Sequence, residues 1–320
     1  MTLRNQVLSL LEQSQGTVIS GQELADTLYV SRTAIWKAIQ QLRQQGYAIE
    51  ASSKKGYWLA TSSDTLSADA VSSYLTKEGF MLPVEYHETL ASTNDRAKQL
   101  AFEGAAHGTV VLANAQSAGR GRYGRSFFSP AHTGLYLSLV LRPTTPMEAA
   151  HITMSSAVSV CQAIAPWSKQ EPHIKWINDI YLGERKLGGI LSEAQFGLES
   201  GSLDSAVVGI GLNIATAESD FPTELQHKAV SLFSNTIRRS QLAANIIIAV
   251  LRNLDQPFQT LLPEYRQRSL LVGRDIIFTL NGQTREGTAL EVNDEGHLMV
   301  LSNDTTIALH SGEVSIKEFK

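Results

Sequence analysis

A chain of 320 residues exceeds what one hydrophobic core ordinarily carries, so two or three domains are expected rather than one small module. With 43% hydrophobic and 18% charged residues, 9 Pro and 23 Gly, the composition excludes disordered, collagen-like and low-complexity classes. A net charge of −4 argues against a protein that coats nucleic acid throughout, yet leaves room for a local basic face.

The single cysteine, Cys161, has no internal disulfide partner, and Met1 is followed by a polar amphipathic run rather than a basic and apolar leader. A cytoplasmic protein is therefore expected. The longest apolar run, residues 246–251, falls far short of the roughly 18 to 20 residues of a membrane helix, so no membrane partner is expected.

Residues 1–62 hold six basic and four acidic side chains, net +2, which leaves −6 to the rest; within 31–55 the balance is five to one. Leu3, Val7, Leu10 and Leu11 recur at helical spacing, and residues 20–23 (Ser-Gly-Gln-Glu) form a capping box that opens a short helix through Leu28. Ser31 can cap a longer helix with Ile35, Ala38, Ile39 and Leu42 facing inward and Gly46 marking its stop. Its outward side carries Arg32, Thr33, Trp36, Lys37 and Gln40, the side chains that a recognition helix presents to base edges. Two short strands, 47–50 and 56–59, flank a basic turn with Lys54 and Lys55. The segment resembles a winged helix-turn-helix domain, with Ser31 and the outward residues as the DNA-binding set. A packing or dimerisation module is the alternative. Residues 61–65 are a polar linker, so the first domain is placed at 1–62.

From 63 to 268, helical patterns mix with apolar strands near 109–113, 135–141 and 206–210, which predicts an α+β domain of catalytic size. Past Gly273, short strands are broken by turn signals at 281–282 and 294–296. A small β-barrel over 269–320 is expected.

Residues 118–125 (Ala-Gly-Arg-Gly-Arg-Tyr-Gly-Arg) satisfy G-x-G-x-x-G, but the next residues read as loop leading to a strand, not the helix that a dinucleotide fold requires. Arginines interleaved with glycines instead suit a mobile cationic lid over an anionic ligand; a flexible surface loop is an equal alternative. Residues 175–179 (Lys-Trp-Ile-Asn-Asp) and 185–191 (Arg-Lys-Leu-Gly-Gly-Ile-Leu) bring Lys175, Asn178, Asp179 and Lys186 together across a hairpin near Gly183. The lysines can neutralise a carboxylate and an α-phosphate, and Asp179 can hold Mg²⁺ on nucleotide oxygens. A surface hairpin of paired charges is the alternative. A buried strand at 207–213 carries Gly209 and Gly211, which permit close approach. P-loop, zinc and nucleophile-elbow signatures are missing, and Cys161 reads as a core thiol.

Ser92, Thr93 and Asn94, the Gly119 to Arg122 loop, Lys175 to Asp179, Lys186 to Gly189 and Gly209 to Asn213 occur in the order found in biotin protein ligases, and the chain resembles that family over essentially its whole length. The resemblance is closest to bifunctional members that also repress the biotin operon, and it implies an SH3-like C-terminal module. By resemblance, Ser92, Thr93, Asn94 and Gln116 contact the ureido head of biotin. Arg120, Gly121 and Arg122 close over the ligand, and Lys186 meets its carboxyl end. Leu191, Gly209 and Gly211 wall its ring and chain. Arg120, Lys175, Asp179 and Lys186 are the implied catalytic set. Arg120, Arg122, Phe127, Lys175, Asn178, Asp179 and Asn213 would bind nucleotide, with Mg²⁺ on Asp179. Residues 216–225 are a further candidate for a lid over adenine, one that no motif carries. The implied partners are the biotin carboxyl carrier protein of acetyl-CoA carboxylase, operator DNA and a second copy, with biotinoyl-5′-AMP as co-repressor.

Two departures from the family pattern stand out: Ile177 in place of a proline, and Phe127 in place of a tryptophan. Lipoate or octanoate transfer, a ligand-sensing regulator without turnover, and a regulator of nucleotide metabolism remain as other readings.

Overall fold

The computed structural model describes residues 2–14, 17–44, 46–52, 55–60, 64–143, 148–196, 203–233, 237–280 and 282–317. The N-terminal unit has three helices, α1 (Leu3–Gln13), α2 (Gly21–Thr27) and α3 (Arg32–Gln44), then a hairpin of β1 (Ile49–Ser52) and β2 (Gly56–Leu59). Its caps are those the sequence predicts: Ser20 Oγ accepts from Glu23 N–H at 3.0 Å and Ser31 Oγ from Ala34 N–H at 3.2 Å. Val7, Leu8, Leu11, Ile35, Ile39, Leu42 and Leu59 fill the core. The expected stripe is corrected, since Leu8 is buried while Leu3 and Leu10 are only partly so; apolar residues close in the chain compete for one face, and periodicity alone ranks them poorly. The first wing strand begins at Ile49, not Tyr47.

α4 (Ala68–Lys77) serves two cores: Ala70 packs into the N-terminal one, while Val71 and Leu75 enter the main one. The chain continues through β3 (Val84–Leu90), α5 (Thr93–Phe102), β4 (Val110–Gln116), β5 (Gly134–Leu141), α6 (Ala149–Ile164), β6 (Pro172–Lys175), β7 (Asp179–Leu182), β8 (Arg185–Phe196), β9 (Leu203–Asn213), α7 (Arg239–Leu254) and α8 (Phe258–Gln267). The seven strands pair in the order β3-β4-β5-β9-β8-β7-β6. Of these ladders, among the described residues, only β3–β4 is parallel, and α5 is the crossover it requires.

Every residue of β5 is buried, because the strand is covered on both faces. Leu135, Leu137, Leu139, Val208, Ile210 and Leu212 pack into the core shared with Val158 of α6 and Ile246 and Val250 of α7. The alternate residues Val140 and Val207 meet Ala97 and Ala101 of α5 on the other face. Cys161 lies in the α6 core, where burial pushes its thiol up to about 12, as a structural cysteine requires.

The C-terminal unit, β10 (Asp275–Leu280), β11 (Gln283–Val292), β12 (Leu298–Ser302), β13 (Thr305–Leu309) and β14 (Val314–Ile316), is an antiparallel sheet in the order β13-β12-β11-β10-β14. Gly282 and Gly296 have positive φ at the predicted turns; Asn281 lies outside the described residues. Ile276, Phe278, Leu298 and Val300 join the main core. Among the described residues no helix is long and apolar enough to cross a membrane.

Candidate active site and nucleic-acid interface

The site lies on the α5 face of the large sheet. Ser92 is buried and its hydroxyl caps α5, accepting from Asp95 N–H at 3.4 Å. Thr93 donates from its N–H (2.9 Å) and hydroxyl (3.2 Å) to Gln116 Oε1, and Gln116 Nε2 donates to Ser129 Oγ at 3.0 Å. Ser138 Oγ lies 2.8 Å from Thr93 Oγ1 and 2.7 Å from Asn94 Oδ1. Asn94 Nδ2 donates to Leu191 O (3.2 Å) and Glu193 Oε2 (2.8 Å). These groups form a buried, mutually paired polar cluster, the kind of surface that discriminates a hydrogen-bonding head group.

Glycine shapes its floor. A Cβ on Gly209 would fall 1.9 Å from Asn94 Oδ1, and one on Gly211 would fall 2.7 Å from the Phe127 ring. Phe127 makes an edge-to-face contact with Tyr136 at 6.3 Å. Asn213 closes the strand by donating from Nδ2 to Val230 O at 3.4 Å.

The arginine loop is folded on itself: Gly121 N–H donates to Arg125 O at 2.7 Å, and Phe127 N–H to Gly119 O at 2.8 Å. Its arginines reach three different elements. Arg120 Nη1 meets Asp95 Oδ1 at 2.6 Å, Arg122 Nη1 donates to Asn178 Oδ1 at 3.2 Å, and Arg125 Nη2 meets Glu313 Oε1 at 2.6 Å. Partial burial raises the Asp95 carboxyl, but hydrogen bonds and charge from Lys98 and Arg120 outweigh it and leave it below its ordinary range.

The hairpin supplies the second cationic cluster. Lys175 stands opposite Asp179 in the β6–β7 ladder, and Lys186 Nζ meets Asp179 Oδ1 at 2.7 Å. Gly189 leaves room for that pair, since a Cβ there would lie 3.0 Å from Asp179 Oδ1. Burial holds the Lys175 ammonium below its usual value, against the attraction of Asp179, and its Nζ sits 5.8 Å over the Tyr181 ring. At Ile177, where the family pattern has a proline, the Trp176–Ile177 bond is cis; Tyr265 OH donates to Ile177 O at 3.2 Å and Trp176 Nε1 to Gly296 O at 3.0 Å. Asn178 Nδ2 donates to Ile190 O at 2.9 Å and to Asp179 Oδ1 at 3.1 Å.

The structure thus brings together the head-group set, the arginine loop and the lysine hairpin. Ser138, Glu193 and Glu313 belong to the same assembly and were not singled out from the sequence. Ser138 did carry a signal, as the one serine in an otherwise apolar buried strand. The two acids carried none, because their partners are distant in the chain.

In the N-terminal unit, Ser31, Arg32, Thr33, Trp36 and Lys37 are exposed along one side of α3, with Trp36 at 52%; Gln40 is half-buried. Lys55 is exposed in the wing, whereas Lys54 lies outside the described residues.

Residues 86–213 match the Biotin/lipoate A/B protein ligase family and residues 3–58 match an HTH domain. The chain is 35% identical over 324 residues to the bifunctional ligase/repressor BirA of Bacillus subtilis, covering 98% of this chain and 99% of that protein. It is 29% identical over 320 residues to BirA of Escherichia coli, covering 95% and 94%. Its fold also matches the biotin protein ligase from Aquifex aeolicus, solved with biotin and ATP, at a TM-score of 0.64 and 24% identity, over 74% of this chain and 99% of that one. The chain belongs to the bifunctional BirA family of biotin protein ligases.

Proposed function

We propose that this ligase adenylates biotin with MgATP, passes the biotinyl group to a lysine of the acetyl-CoA carboxylase carrier protein, and, as an adenylate-bound homodimer, represses biotin synthesis genes from operator DNA. The observation that carries the reading is the juxtaposition of a buried polar head-group cluster with two cationic clusters across a glycine-floored strand.

In the first step a biotin carboxylate oxygen attacks the α-phosphorus, the α–β P–O bond breaks and pyrophosphate leaves. Two anions must meet, so catalysis consists of positioning and charge neutralisation. Thr93, Asn94 and Gln116 would orient the head of the vitamin, with Ser92 capping the helix that carries Thr93 and Asn94. Lys186 and Arg120 would meet the carboxylate, and Lys175, Arg122 and Asn178 the phosphates. Phe127 and Asn213 would border the nucleotide. In the second step the carrier amine attacks the acyl carbonyl, AMP leaves with its bonding pair, the nitrogen gives up a proton to solvent, and an amide remains. No enzyme nucleophile is needed.

Asp179 already binds Lys186 and Asn178, and among the described residues no group of three His, Cys, Asp or Glu could hold a metal. A single carboxylate suits Mg²⁺ that arrives on nucleotide phosphates and keeps most of its water. The ion would supply further neutralisation there.

In α3, Arg32, Thr33, Trp36, Lys37 and Gln40, with Lys54 and Lys55 of the wing, would contact DNA. Ligand-set dimerisation would bring two such helices to an inverted repeat, in the cytoplasm where carrier and operator both reside. Incubation of the chain with biotin, MgATP and a carrier domain, read by intact mass, should add one biotinyl group to the carrier. An unmodified carrier would overturn the ligase reading. A mobility shift of operator DNA that does not respond to biotin and ATP would overturn the repressor reading.

A further inference from the structure

β8 continues past Leu191, the last motif residue to face the site. Two positions on, Glu193 lies opposite Val207, which packs with α5, so it shares the Leu191 face. Its carboxylate binds three groups from two other elements. Oε2 accepts from Asn94 Nδ2 at 2.8 Å, Oε1 accepts from Lys98 Nζ at 2.9 Å, and Arg120 Nη2 stands 3.7 Å from Oε1. Asp95 completes the arrangement, at 3.0 Å from Lys98 and 2.6 Å from Arg120.

The chemistry of these groups has two consequences. A carboxylate only accepts hydrogen bonds, so the nitrogen end of the Asn94 amide must face Glu193, which turns Oδ1 toward Ser138 and the space that Gly209 leaves open. Lys98 and Arg120 are two like charges at one spot, and without Glu193 only Asp95 would balance them. Glu193 is three-quarters buried, so water screens these contacts less than at an open surface.

We propose that Glu193 is a positioning residue for biotin: it sets the orientation of the Asn94 amide and anchors Arg120, and so keeps the head-group cluster and the arginine loop in register for one ligand that spans both. This inference rests on the ligase reading above, and it assigns a role outside the motif residues.

The test uses the full chain and biotin-dependent exchange of pyrophosphate into ATP, comparing Glu193→Ala with Glu193→Gln. Loss of a charge-assisted hydrogen bond should raise the biotin KM at least about tenfold in Glu193→Ala, while kcat falls by no more than about threefold and the ATP KM holds. Glu193→Gln keeps an acceptor for Asn94 and loses only the charge, so its biotin KM should fall between parent and alanine variant. Equal loss of kcat and rise of both KM values, with a lowered Tm, would reduce Glu193 to a packing role and overturn the proposal. An unchanged biotin KM would do the same. A parent chain without biotin-dependent exchange would instead overturn the ligase reading itself.

Discussion

Lys186 contributes through one charged group at one place, 2.7 Å from Asp179 and beside the space opened by Gly189. Lys186→Ala removes that charge without cutting a core contact, so biotin-dependent pyrophosphate exchange should fall by about two orders of magnitude while Tm changes little. Exchange at the parental rate would remove Lys186 from the chemistry. Gly209 acts in the opposite sense, by what it lacks. Gly209→Ala forces a methyl group against Asn94 Oδ1 in a buried strand, and overpacking of this kind costs about 1–3 kcal/mol. Calorimetry should show a lower Tm together with weaker biotin binding; a variant that binds biotin as the parent does would show that the Asn94 amide can yield. Both residues were visible in the sequence as parts of short motifs, because a lysine beside a glycine pair and glycines within a strand are local signals. Ser129 and Glu313 were invisible, since they meet the site through partners 13 and 188 positions away in the chain.

At the scale of elements, α3 and the hairpin wing were legible almost residue by residue, because capping, helical stripe and turn chemistry all act within a few positions. The outward side of α3 gives a salt-dependent expectation. Lys37→Ala should weaken operator binding about equally across sequences and lower the slope of log K against log salt by about one, with carrier biotinylation untouched. An unaltered slope would take Lys37 off the phosphates. What the sequence did not reveal is how α1 seats against the rest of the molecule. Glu12, on α1, is buried with Oε2 unpartnered, near Tyr47, Tyr74 and Arg238. Burial pushes its carboxyl from 4.5 up to about 8, against the pull of Arg238. A carboxyl raised only in the folded state stabilises it below the ordinary value and loses that contribution as pH rises through the folded one, so stability should decline between 4.5 and 8. Glu12→Gln should flatten this decline, matching the parent near pH 4.5 and exceeding its Tm above pH 8. Parallel pH profiles of Tm for the two chains would refute the assignment.

The three units are joined by more than chain connectivity. α4 contributes to two cores, Arg4 and Asn5 both reach Asp69 at 2.8 Å, and the C-terminal sheet touches the site through Trp176 to Gly296 and Arg125 to Glu313. The most consequential joint is Arg239, at the start of α7 and 3% exposed. Its N–H and Nε donate to the two carboxylate oxygens of Asp64, each at 2.7 Å, and Nη1 donates to Asn114 Oδ1 and Gly134 O, each at 3.2 Å. Asp64 belongs to the segment that leaves the DNA-binding module. Asn114 lies on β4 two residues before Gln116, and Gly134 begins β5 just after the stretch that carries Phe127 and Ser129. The anchor of the linker and the wall of the proposed ligand pocket therefore share the same two strands, so a ligand that orders one should bias the other. Asp64→Ala removes the carboxylate that anchors this segment to Arg239 and substitutes no residue of the proposed pocket. Biotin-dependent pyrophosphate exchange should stay within about threefold of the parent, while the enhancement of operator affinity by biotin and ATP, measured by mobility shift, should shrink toward unity because the coupling free energy has been removed. If that enhancement survives at its parental size, the path through Arg239 carries no coupling, and the α1–α4 seat is the contact that must transmit it.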